Sequence, residues 1–389
     1  MTPIYLDHIA AAKPHPEVVA AMLPWLTEDF GNPMSLHWFG EKPRAAVEEA
    51  RSQVADLLGV DPREVTFTGS GTEANTLALR GLMAPLARRG RHLIVSAIEH
   101  PSILDTARRL ERDGAAALTV VPVDRYGRVD PGAVSSAIRD DTVLISIQTA
   151  NPEIGTVQPV AELARVARQR GVLIHTDAVV AVGRTPLDVR ELDVDAVSLA
   201  ANPFYGPPGV GALYVRRGVR LEPLLVGGAQ EAGRRAGGHN VPAIVGMGRA
   251  AVLVNEYGAT WRRDMAALHQ QLSEGLSGVA GALMTGHPDH RLAGHVSACF
   301  EYVEGEALVR MLGQAGVAVA SGSACSDFTV SSKVSHVLSA LGIEPSRAQG
   351  SVVCSLGRET TETQIREVAR LVPRTIEGLR RLSPLYQRG

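Results

Sequence analysis

The sequence predicts a layered α/β fold built on a largely parallel β-sheet. Short runs of β-branched residues alternate with longer stretches of helical periodicity over the first two thirds of the chain, which is typical of strands joined by crossover helices. At 389 residues the chain is longer than one hydrophobic core usually supports, so we expect two domains. Right-handed crossovers would bring the strand ends to one edge of the sheet, where ligands bind.

The predicted elements follow one another in regular order. Strands are expected at residues 65–68, 93–96, 118–121, 143–148, 173–176 and 196–199, and helices at residues 44–58, 73–86, 103–112 and 160–170. A polar helical segment at 256–276 interrupts this rhythm, and strands at 295–300, 317–320 and 351–355 then alternate with helices. We therefore place a domain boundary near Tyr257, between a large α/β domain of residues 15–256 and a smaller α+β domain of residues 257–389.

Composition and charge exclude several classes of function. The formal net charge is −2 with both signs mixed, which argues against an electrostatic nucleic-acid binder. The longest apolar runs are too short to span a bilayer and the first residues lack a signal-peptide pattern, so we expect a cytoplasmic protein without a membrane segment. The three cysteines, Cys299, Cys325 and Cys354, form neither an even disulfide set nor a paired metal motif.

The segment GSGTEAN at residues 69–75 follows one predicted strand and opens a helix. Backbone N–H groups converge at such a turn, and the helix dipole favours an anion there, so a phosphate could bind near Gly71 and Thr72. The alternative is an ordinary strand-to-helix turn in which Thr72 caps the helix, and the segment alone favours that interpretation.

Three further polar residues follow predicted strands at the same expected edge of the sheet: His100 in EHPS, Asn151 in NPEIG and Asp177 in HTDA. A carboxylate at a strand end, facing an imidazole and an anion-binding turn, is the arrangement that pyridoxal phosphate (PLP) needs. Each residue taken separately could be a loop histidine or a capping side chain. Their order and spacing together indicate a site.

These segments resemble the NifS/IscS cysteine desulfurases in register along the chain, from Tyr5 to about Pro384. The resemblance rests on the segments LDHIAAA, FGNPMSLH, GSGTEANTLAL, IEHPSIL, NPEIGTVQPV, HTDAVVAVGRTPLDV, YGPPGVGALYVRRG, GMGRA, YVEGEAL, ASGSACS and SLGR. It implies a PLP-transferase type I fold with a seven-stranded, mostly parallel sheet, of the aminotransferase class V kind. It also implies a homodimer that takes sulfur from cysteine onto an active-site thiol, with residues 1–14 packing near the site.

The resemblance assigns roles to single residues of this chain. It implies that Gly71 and Thr72 contact the coenzyme's phosphate, that His100 stacks on its ring, and that Asn151 meets the ring hydroxyl. Asp177 would pair with the pyridine nitrogen. Cys325, in ASGSACS, matches the cysteine that carries the persulfide, and residues 227–235 resemble the segment that crosses the dimer interface, with a solvated loop as the alternative.

The chain departs from the family at the position of the lysine that forms the Schiff base, which here is Pro203. Proline has no amine, so we expect no covalent PLP. Noncovalent PLP is left open. Further departures fall on positions that in the family bind the phosphate, the ring hydroxyl or the substrate carboxylate: Ala200, Asn202, Val180, Gly238 and Val353.

Lys13, Lys42 and Lys333 are the only lysines of the chain, and neither Lys13 nor Lys333 matches a motif position that would replace the missing amine. Cys325 lies in a loop rich in serine, glycine and alanine, where we expect an exposed thiol, whereas Cys299 and Cys354 are expected to be buried. The alternative for Cys325 is an inherited cysteine without a role.

Three hypotheses follow. In the first, the chain handles sulfur through Cys325, as a persulfide carrier or as one ligand of an iron–sulfur cluster shared with a sulfur acceptor or scaffold protein. In the second, it is an enzyme with altered chemistry that uses noncovalent PLP or another phosphorylated ligand, with His100 as acid or base and Asp177 as an electrostatic anchor. In the third, it is a non-catalytic partner or regulator of an authentic desulfurase. The sequence favours the first.

Overall fold

A seven-stranded β-sheet forms the centre of the large N-terminal part of the chain. The structure, a computed structural model, describes residues 3–322, 334–383 and 386, so Cys325 and Lys333 lie outside the described residues. The strands are β1 (Ile4–Tyr5), β2 (Val65–Thr68), β3 (His92–Ser96), β4 (Ala117–Val121), β5 (Thr142–Ser146), β6 (Leu173–Asp177), β7 (Ala196–Ala200), β8 (Gly211–Val215), β9 (Ala282–Met284), β10 (His295–Phe300), β11 (Val317–Ala318) and β12 (Ser351–Ser355).

Helices surround this sheet and build much of the C-terminal part. They are α1 (Pro16–Met22), α2 (Pro24–Thr27), α3 (Trp38–Leu58), α4 (Gly71–Met83), α5 (Pro101–Arg112), α6 (Pro131–Ala137), α7 (Val160–Gln169), α8 (Val189–Leu192), α9 (Val241–Ser277), α10 (Gly305–Gln314), α11 (His336–Ala340), α12 (Pro345–Ala348) and α13 (Glu362–Leu382). None of the helices in the described part of the chain is both long enough and apolar enough to cross a membrane.

The sheet order is β2-β8-β7-β6-β5-β3-β4. Pairings are parallel except for β8, which is antiparallel to both neighbours, so the predicted mostly parallel sheet of seven strands is confirmed. Alternate residues of one strand enter different cores: Ile94 packs on one face, while Leu93 and Val95 pack on the other. Strands covered on both faces need continuous apolar runs, which is the pattern seen in the sequence.

The C-terminal part is a smaller α+β unit. Its sheet has the order β12-β10-β9 and is antiparallel, and its apolar core includes residues of α9, α10 and α13. The N-terminal strand β1 pairs with β11 of this unit. Helix α9 is 37 residues long and runs past Tyr257, so the predicted domain boundary falls inside a helix and stays a prediction.

The predicted boundaries that need correction include those of α3 and β5. Helix α3 begins at Trp38, six residues before the predicted start at residue 44, because it tolerates Pro43 within its first turns. Strand β5 ends at Ser146 and not at residue 148. There the backbone N–H of Gln148 donates to the carboxylate of Glu99, at 3.0 Å to each oxygen, in place of a ladder partner.

The segment at residues 227–235 is anchored by one buried carboxylate. Glu231 has a left-handed backbone with φ 51°, and its side chain accepts hydrogen bonds from Arg51 at 2.6 and 2.8 Å. It also accepts from the backbone N–H of Phe67 and from His239 Nε2. A side chain bound this tightly argues against the alternative of a freely solvated loop.

Candidate active-site cavity

A cavity of about 460 Å³ lies at the carboxyl ends of the parallel strands, between the two parts of the chain. All five residues predicted to hold the coenzyme line it: Gly71, Thr72, His100, Asn151 and Asp177. Three other segments complete its wall: the N-terminal segment, the residues around Ser321 and Gly322, and strand β12. Asp7, Ile9 and Ala10 of the N-terminal segment line this cavity, and the predicted packing of residues 1–14 near an active site stays a prediction.

The N-terminus of α4 forms one wall, but its cap differs from the predicted one. Ser70 is the N-cap, since its hydroxyl accepts from the backbone N–H of Glu73 at 3.1 Å, and Thr72 lies one residue inside the helix. Glycine is required at residue 71, because a Cβ there would lie 2.6 Å from Cγ2 of Val179. This close approach brings the helix start onto the turn that follows β6.

Asp177 ends β6 and is buried at the base of the cavity. Its Oδ2 accepts from Asn75 Nδ2 at 2.7 Å and its Oδ1 accepts from the backbone N–H of Val179 at 2.9 Å. Burial raises the pKa of this carboxyl, and the hydrogen bonds from Val179 and Asn75 oppose the rise. Asp177 is therefore fixed in place and able to face a positively charged or N–H-bearing group.

His100 is the N-cap of α5 and accepts from the backbone N–H of Ser102 at 3.1 Å through Nδ1. The Ser102 hydroxyl lies 2.7 Å from the same nitrogen and accepts from Asn75 Nδ2 at 2.9 Å. Because Nδ1 accepts, neutral His100 carries its proton on Nε2. One amide, that of Asn75, thus positions both the imidazole and Asp177.

Asn151 lines the cavity, but its side-chain amide forms hydrogen bonds with backbone groups. Its Nδ2 donates to the carbonyl of Ile98 at 2.9 Å, and its Oδ1 accepts from the N–H groups of Glu153 and Ile154. These bonds hold the turn after β5 against the turn after β3. The implied contact with a ring hydroxyl stays a prediction.

Pro203 is buried in a short 3₁₀ turn and faces the cavity. Asn202 beside it donates to the carbonyl of Ala10 and so holds the N-terminal segment in place. Four of the other departures noted in the sequence also line the cavity: Ala200, Asn202, Val180 and Val353. Gly238 lies elsewhere, with open space around the position of a Cβ.

Neither described lysine lines the cavity. The Lys13 side chain is 71% exposed and lies 3.9 Å from Glu359, and Lys42 pairs with Asp29. The lining formed by the described residues holds no lysine and no arginine. The described wall therefore offers no side-chain amine that could form a Schiff base.

Sequence reasoning missed several polar residues of the cavity: Asp7, Asn75, Glu99, Ser102, Glu153 and His336. Glu99 accepts from the Ser96 hydroxyl at 2.5 Å, and burial raises its pKa to about 8. Burial likewise raises the pKa of Glu153 to about 8, although its Oε2 accepts from the Ser335 hydroxyl at 2.5 Å. Glu99 and Glu153 stand in the motifs EHPS and NPEIG, so their position in these motifs was the sequence signal that could have identified them.

The two cysteines that the structure describes are buried, as predicted. Cys299 and Cys354 are fully buried, and burial raises the pKa of each thiol to about 12, so both are small apolar core residues. Cys325, the predicted persulfide residue and iron–sulfur ligand, lies outside the described residues. Within the described ranges, no group of three or more histidine, cysteine or acidic side chains is placed to hold a metal ion.

The cavity fits PLP only in part. Asp177 could receive a pyridine nitrogen, and the start of α4 offers backbone N–H groups. Pro203 has no amine for an imine, and the described lining has no cationic side chain to balance a phosphate dianion. The residues present therefore do not fit a phosphorylated coenzyme tethered at residue 203.

Comparison with known proteins places the chain in a family. Residues 4–368 match the family model of class-V aminotransferases. The chain is 44% identical to cysteine desulfurase IscS of Methanosarcina thermophila, over 98% of this chain and 94% of that protein. It is 42% identical to cysteine desulfurase IscS 1 of Archaeoglobus fulgidus, over 99% and 100%.

Solved structures agree with these relatives. A NifS-like protein superposes with a TM-score of 0.91 at 33% identity, covering 97% of this chain and 100% of that one. Agreement over the whole length means that both the large and the small part of the fold are shared. The chain therefore belongs to the class-V aminotransferase family and is a homologue of the IscS and NifS cysteine desulfurases.

Proposed function

We propose that this chain handles sulfur through the thiol of Cys325 and does not perform conventional PLP-dependent extraction of sulfur from cysteine. The observation that carries the proposal is Pro203, which lines the cavity at the position that resemblance assigns to the Schiff-base lysine. The names of the relatives, cysteine desulfurases, support a role with sulfur. Loss of the amine argues against the family's own route to that sulfur.

The position of Cys325 in the sequence supports its part in this role. Gly322 and Ser321 line the cavity, and the backbone N–H of Gly322 donates to the Ser351 hydroxyl at 3.1 Å. Cys325 follows Gly322 by three residues. Burial disfavours the thiolate at the other two cysteines, Cys299 and Cys354, so we assign the exchange to Cys325.

The proposed step needs no oxidant or reductant. The Cys325 thiolate attacks the outer sulfur of a persulfide on a donor protein, a new S–S bond forms on Cys325, and the donor's S–S bond breaks. The donor cysteine leaves as a thiolate, so one disulfide-type bond replaces another. The outer sulfur then passes to an acceptor by the same exchange, or the thiolate contributes one ligand to a cluster on a scaffold protein.

Persulfide trapping tests this proposal directly. The full-length protein is incubated with a persulfide donor, alkylated, and analysed by mass spectrometry of its cysteine peptides. We expect an added sulfur atom on Cys325 in the wild type and none in Cys325→Ser. Cys354→Ala is the matched control, because it removes a buried thiol and should keep the label. A wild-type Cys325 that stays unlabelled would contradict the relay and favour a non-catalytic partner.

A homodimer forms part of the same proposal. Large apolar side chains are exposed along the N-terminal helices and the loop after them, including Leu26 at 65%, Leu36 at 90% and Trp38 at 70%. Apolar patches of this kind are usually covered by a partner surface. Sedimentation velocity should show a dimer for the wild type and a monomer for a variant with Leu36→Glu and Trp38→Glu; a monomeric wild type would contradict this part.

A further inference from the structure

Four carboxyl side chains face the cavity described above: Asp7, Glu99, Glu153 and Asp177. They come from separate places in the fold, namely the N-terminal segment, the turn after β3, the turn after β5 and the end of β6. Over the described residues, no lysine or arginine lines the same cavity. The wall therefore carries four carboxyl groups and, among the described residues, no cationic side chain that would neutralise them once they ionise.

Two buried oxygen atoms beside the cavity also lack a donor among the described residues: Oδ1 of Asn75 and Oε1 of Glu153. Asn75 is 1% exposed, and its Nδ2 already serves Ser102 and Asp177. Glu153 Oε2 has the Ser335 hydroxyl, but Oε1 points toward Gly322, where a Cβ would lie 2.0 Å away. A buried acceptor without a donor is unfavourable, and both side chains line the cavity, so a ligand with N–H or O–H groups would be favoured there.

The start of α4 does not reverse this balance. Glu73 in its first turn already places a carboxylate near that partial positive charge, and this carboxylate accepts from the backbone N–H of Gly69 at 2.7 Å. Arg235 bonds to that same carboxylate at 2.9 Å, so this arginine is also engaged. The two cavity histidines are not fixed cations, since burial lowers the pKa of His336 and Nδ1 of His100 accepts from a backbone N–H.

From this geometry we propose that the cavity binds a small organic ammonium ion, a protonated primary amine on a compact carbon frame, in preference to a phosphorylated anion. An ammonium group brings three donors and a positive charge, which match the unpaired acceptors and the carboxyl groups. Apolar side chains on the same wall would receive the carbon frame: Ile9, Val179, Val180, Pro203 and Val353. The inference concerns the cavity alone and does not rest on the sulfur chemistry of Cys325.

Binding of such a cation should strengthen as the pH rises. Burial raises the pKa of Asp7 to about 6 and that of Glu99 and Glu153 to about 8, and it also raises that of Asp177. A bound ammonium favours the ionised carboxylates, so protons leave as it binds. The titratable groups facing the site are these four carboxyl groups, His100 and His336.

Calorimetric titration of the full-length protein with three compounds on one ring tests the proposal. Pyridoxamine carries an ammonium group, pyridoxine has a neutral hydroxyl in its place, and PLP carries the phosphate. We expect pyridoxamine to bind about tenfold more tightly than pyridoxine, with PLP weakest of the three. Its affinity should rise between about pH 6 and about pH 8. Equal affinities for pyridoxamine and pyridoxine, tighter binding of PLP, or no binding of pyridoxamine would each overturn the proposal.

Variants that remove a carboxyl group from the cavity wall test whether the preference for pyridoxamine arises in the cavity. Glu153→Gln and Asp7→Asn should each lower the preference for pyridoxamine over pyridoxine several-fold and leave the affinity for pyridoxine unchanged. Glu111→Gln removes an exposed carboxylate of α5 away from the cavity and should preserve the preference. Circular dichroism checks that each variant is folded, and Asp7→Asn keeps the test valid if Glu153→Gln is unstable. An unchanged preference in the folded cavity variants would overturn the proposal.

Discussion

Two buried glutamates of this protein, Glu231 and Glu153, have opposite surroundings. For Glu231 burial would raise the pKa, but hydrogen bonds from Arg51 and His239 outweigh that effect and lower it to about 2. For Glu153 burial raises the pKa to about 8, and the Ser335 hydroxyl opposes this only weakly. The same side chain is thus ionised in one place and held neutral in the other, and the difference is a nearby guanidinium.

The two glutamates differ in whether their oxygen atoms are used within the fold or left for a ligand. Glu231 uses both oxygens to hold residues 227–235 against α3 and β2, and nothing is left over for a ligand. Glu153 keeps one oxygen without a donor in the described structure and lies on the cavity wall. A buried carboxylate with its own cation is satisfied within the fold, whereas a buried carboxyl group without a cation favours a positively charged ligand.

Removing the cation beside Glu231 should have the largest effect on stability. Arg51→Met keeps the length of the side chain but leaves Glu231 buried without a countercharge, and we expect a loss of about 3 kcal/mol in the free energy of unfolding. Urea denaturation measures this loss. Arg63→Met is the matched control, because its ion pair with Asp61 is largely exposed and should contribute less than about 1 kcal/mol.

A similar small loss in both arginine variants would contradict the importance of the Arg51 pair. Adding Glu231→Gln to Arg51→Met sharpens the comparison. Because it removes the uncompensated charge, the double variant should regain most of the lost stability.

The free energy of unfolding should depend on pH through the two buried carboxyl groups of Glu99 and Glu153. Their pKa in the folded protein is about 8, above the ordinary value of 4.5, so between these values the folded state binds more protons than the unfolded state. Stability should therefore fall as the pH rises through this window, by up to about 1.4 kcal/mol per pH unit for each group. Glu153→Gln removes one of the two titrating groups, so the free energy of unfolding should fall less steeply with pH in this variant.

Urea denaturation of the wild type and Glu153→Gln, from about pH 5 to about pH 8, measures both slopes. Identical slopes would show that Glu153 is ionised in the folded protein, and the contrast with Glu231 would be wrong.

The smallest effect is expected for Ser335, the donor to Glu153 among the described residues. Ser335→Ala removes that donor and also the N-cap of α11, whose hydroxyl accepts from Val337 at 3.0 Å, so we expect a loss of about 1–2 kcal/mol. Ser136→Ala, which removes an exposed serine hydroxyl from α6, should cost less. Equal Tm values for the two variants in thermal denaturation would show that the hydrogen bond from Ser335 to Glu153 does not stabilise the fold.

Periodicity predicted most of the fold because several strands of the large sheet, β3, β5, β7 and β8, are rich in apolar residues and buried along their whole length. Boundaries were less predictable where tertiary contacts replace local rules. Strand β5 stops early because the carboxylate of Glu99 takes the N–H of Gln148, and α3 continues through Pro43 because that proline is buried against neighbours. Neither contact has a local signature in the sequence.

The candidate site was predictable where motifs carry it and not elsewhere. Gly71, His100 and Asp177 were found because they stand at strand ends that share one edge of the sheet. Glu153 and Ser335 are 182 residues apart, and only the folded chain brings them together. The acidic character of the cavity is a sum over such distant residues, so no single segment indicates it.

The measurement that tests the central claim most directly is the intact mass of the protein after incubation with one equivalent of PLP and reduction with borohydride, which converts an imine into a stable amine. Since residue 203 is proline and the described wall offers no lysine, we predict an unmodified mass for the wild type and one added coenzyme for Pro203→Lys. A stoichiometric adduct on Lys13, Lys42 or Lys333 of the wild type would contradict the account.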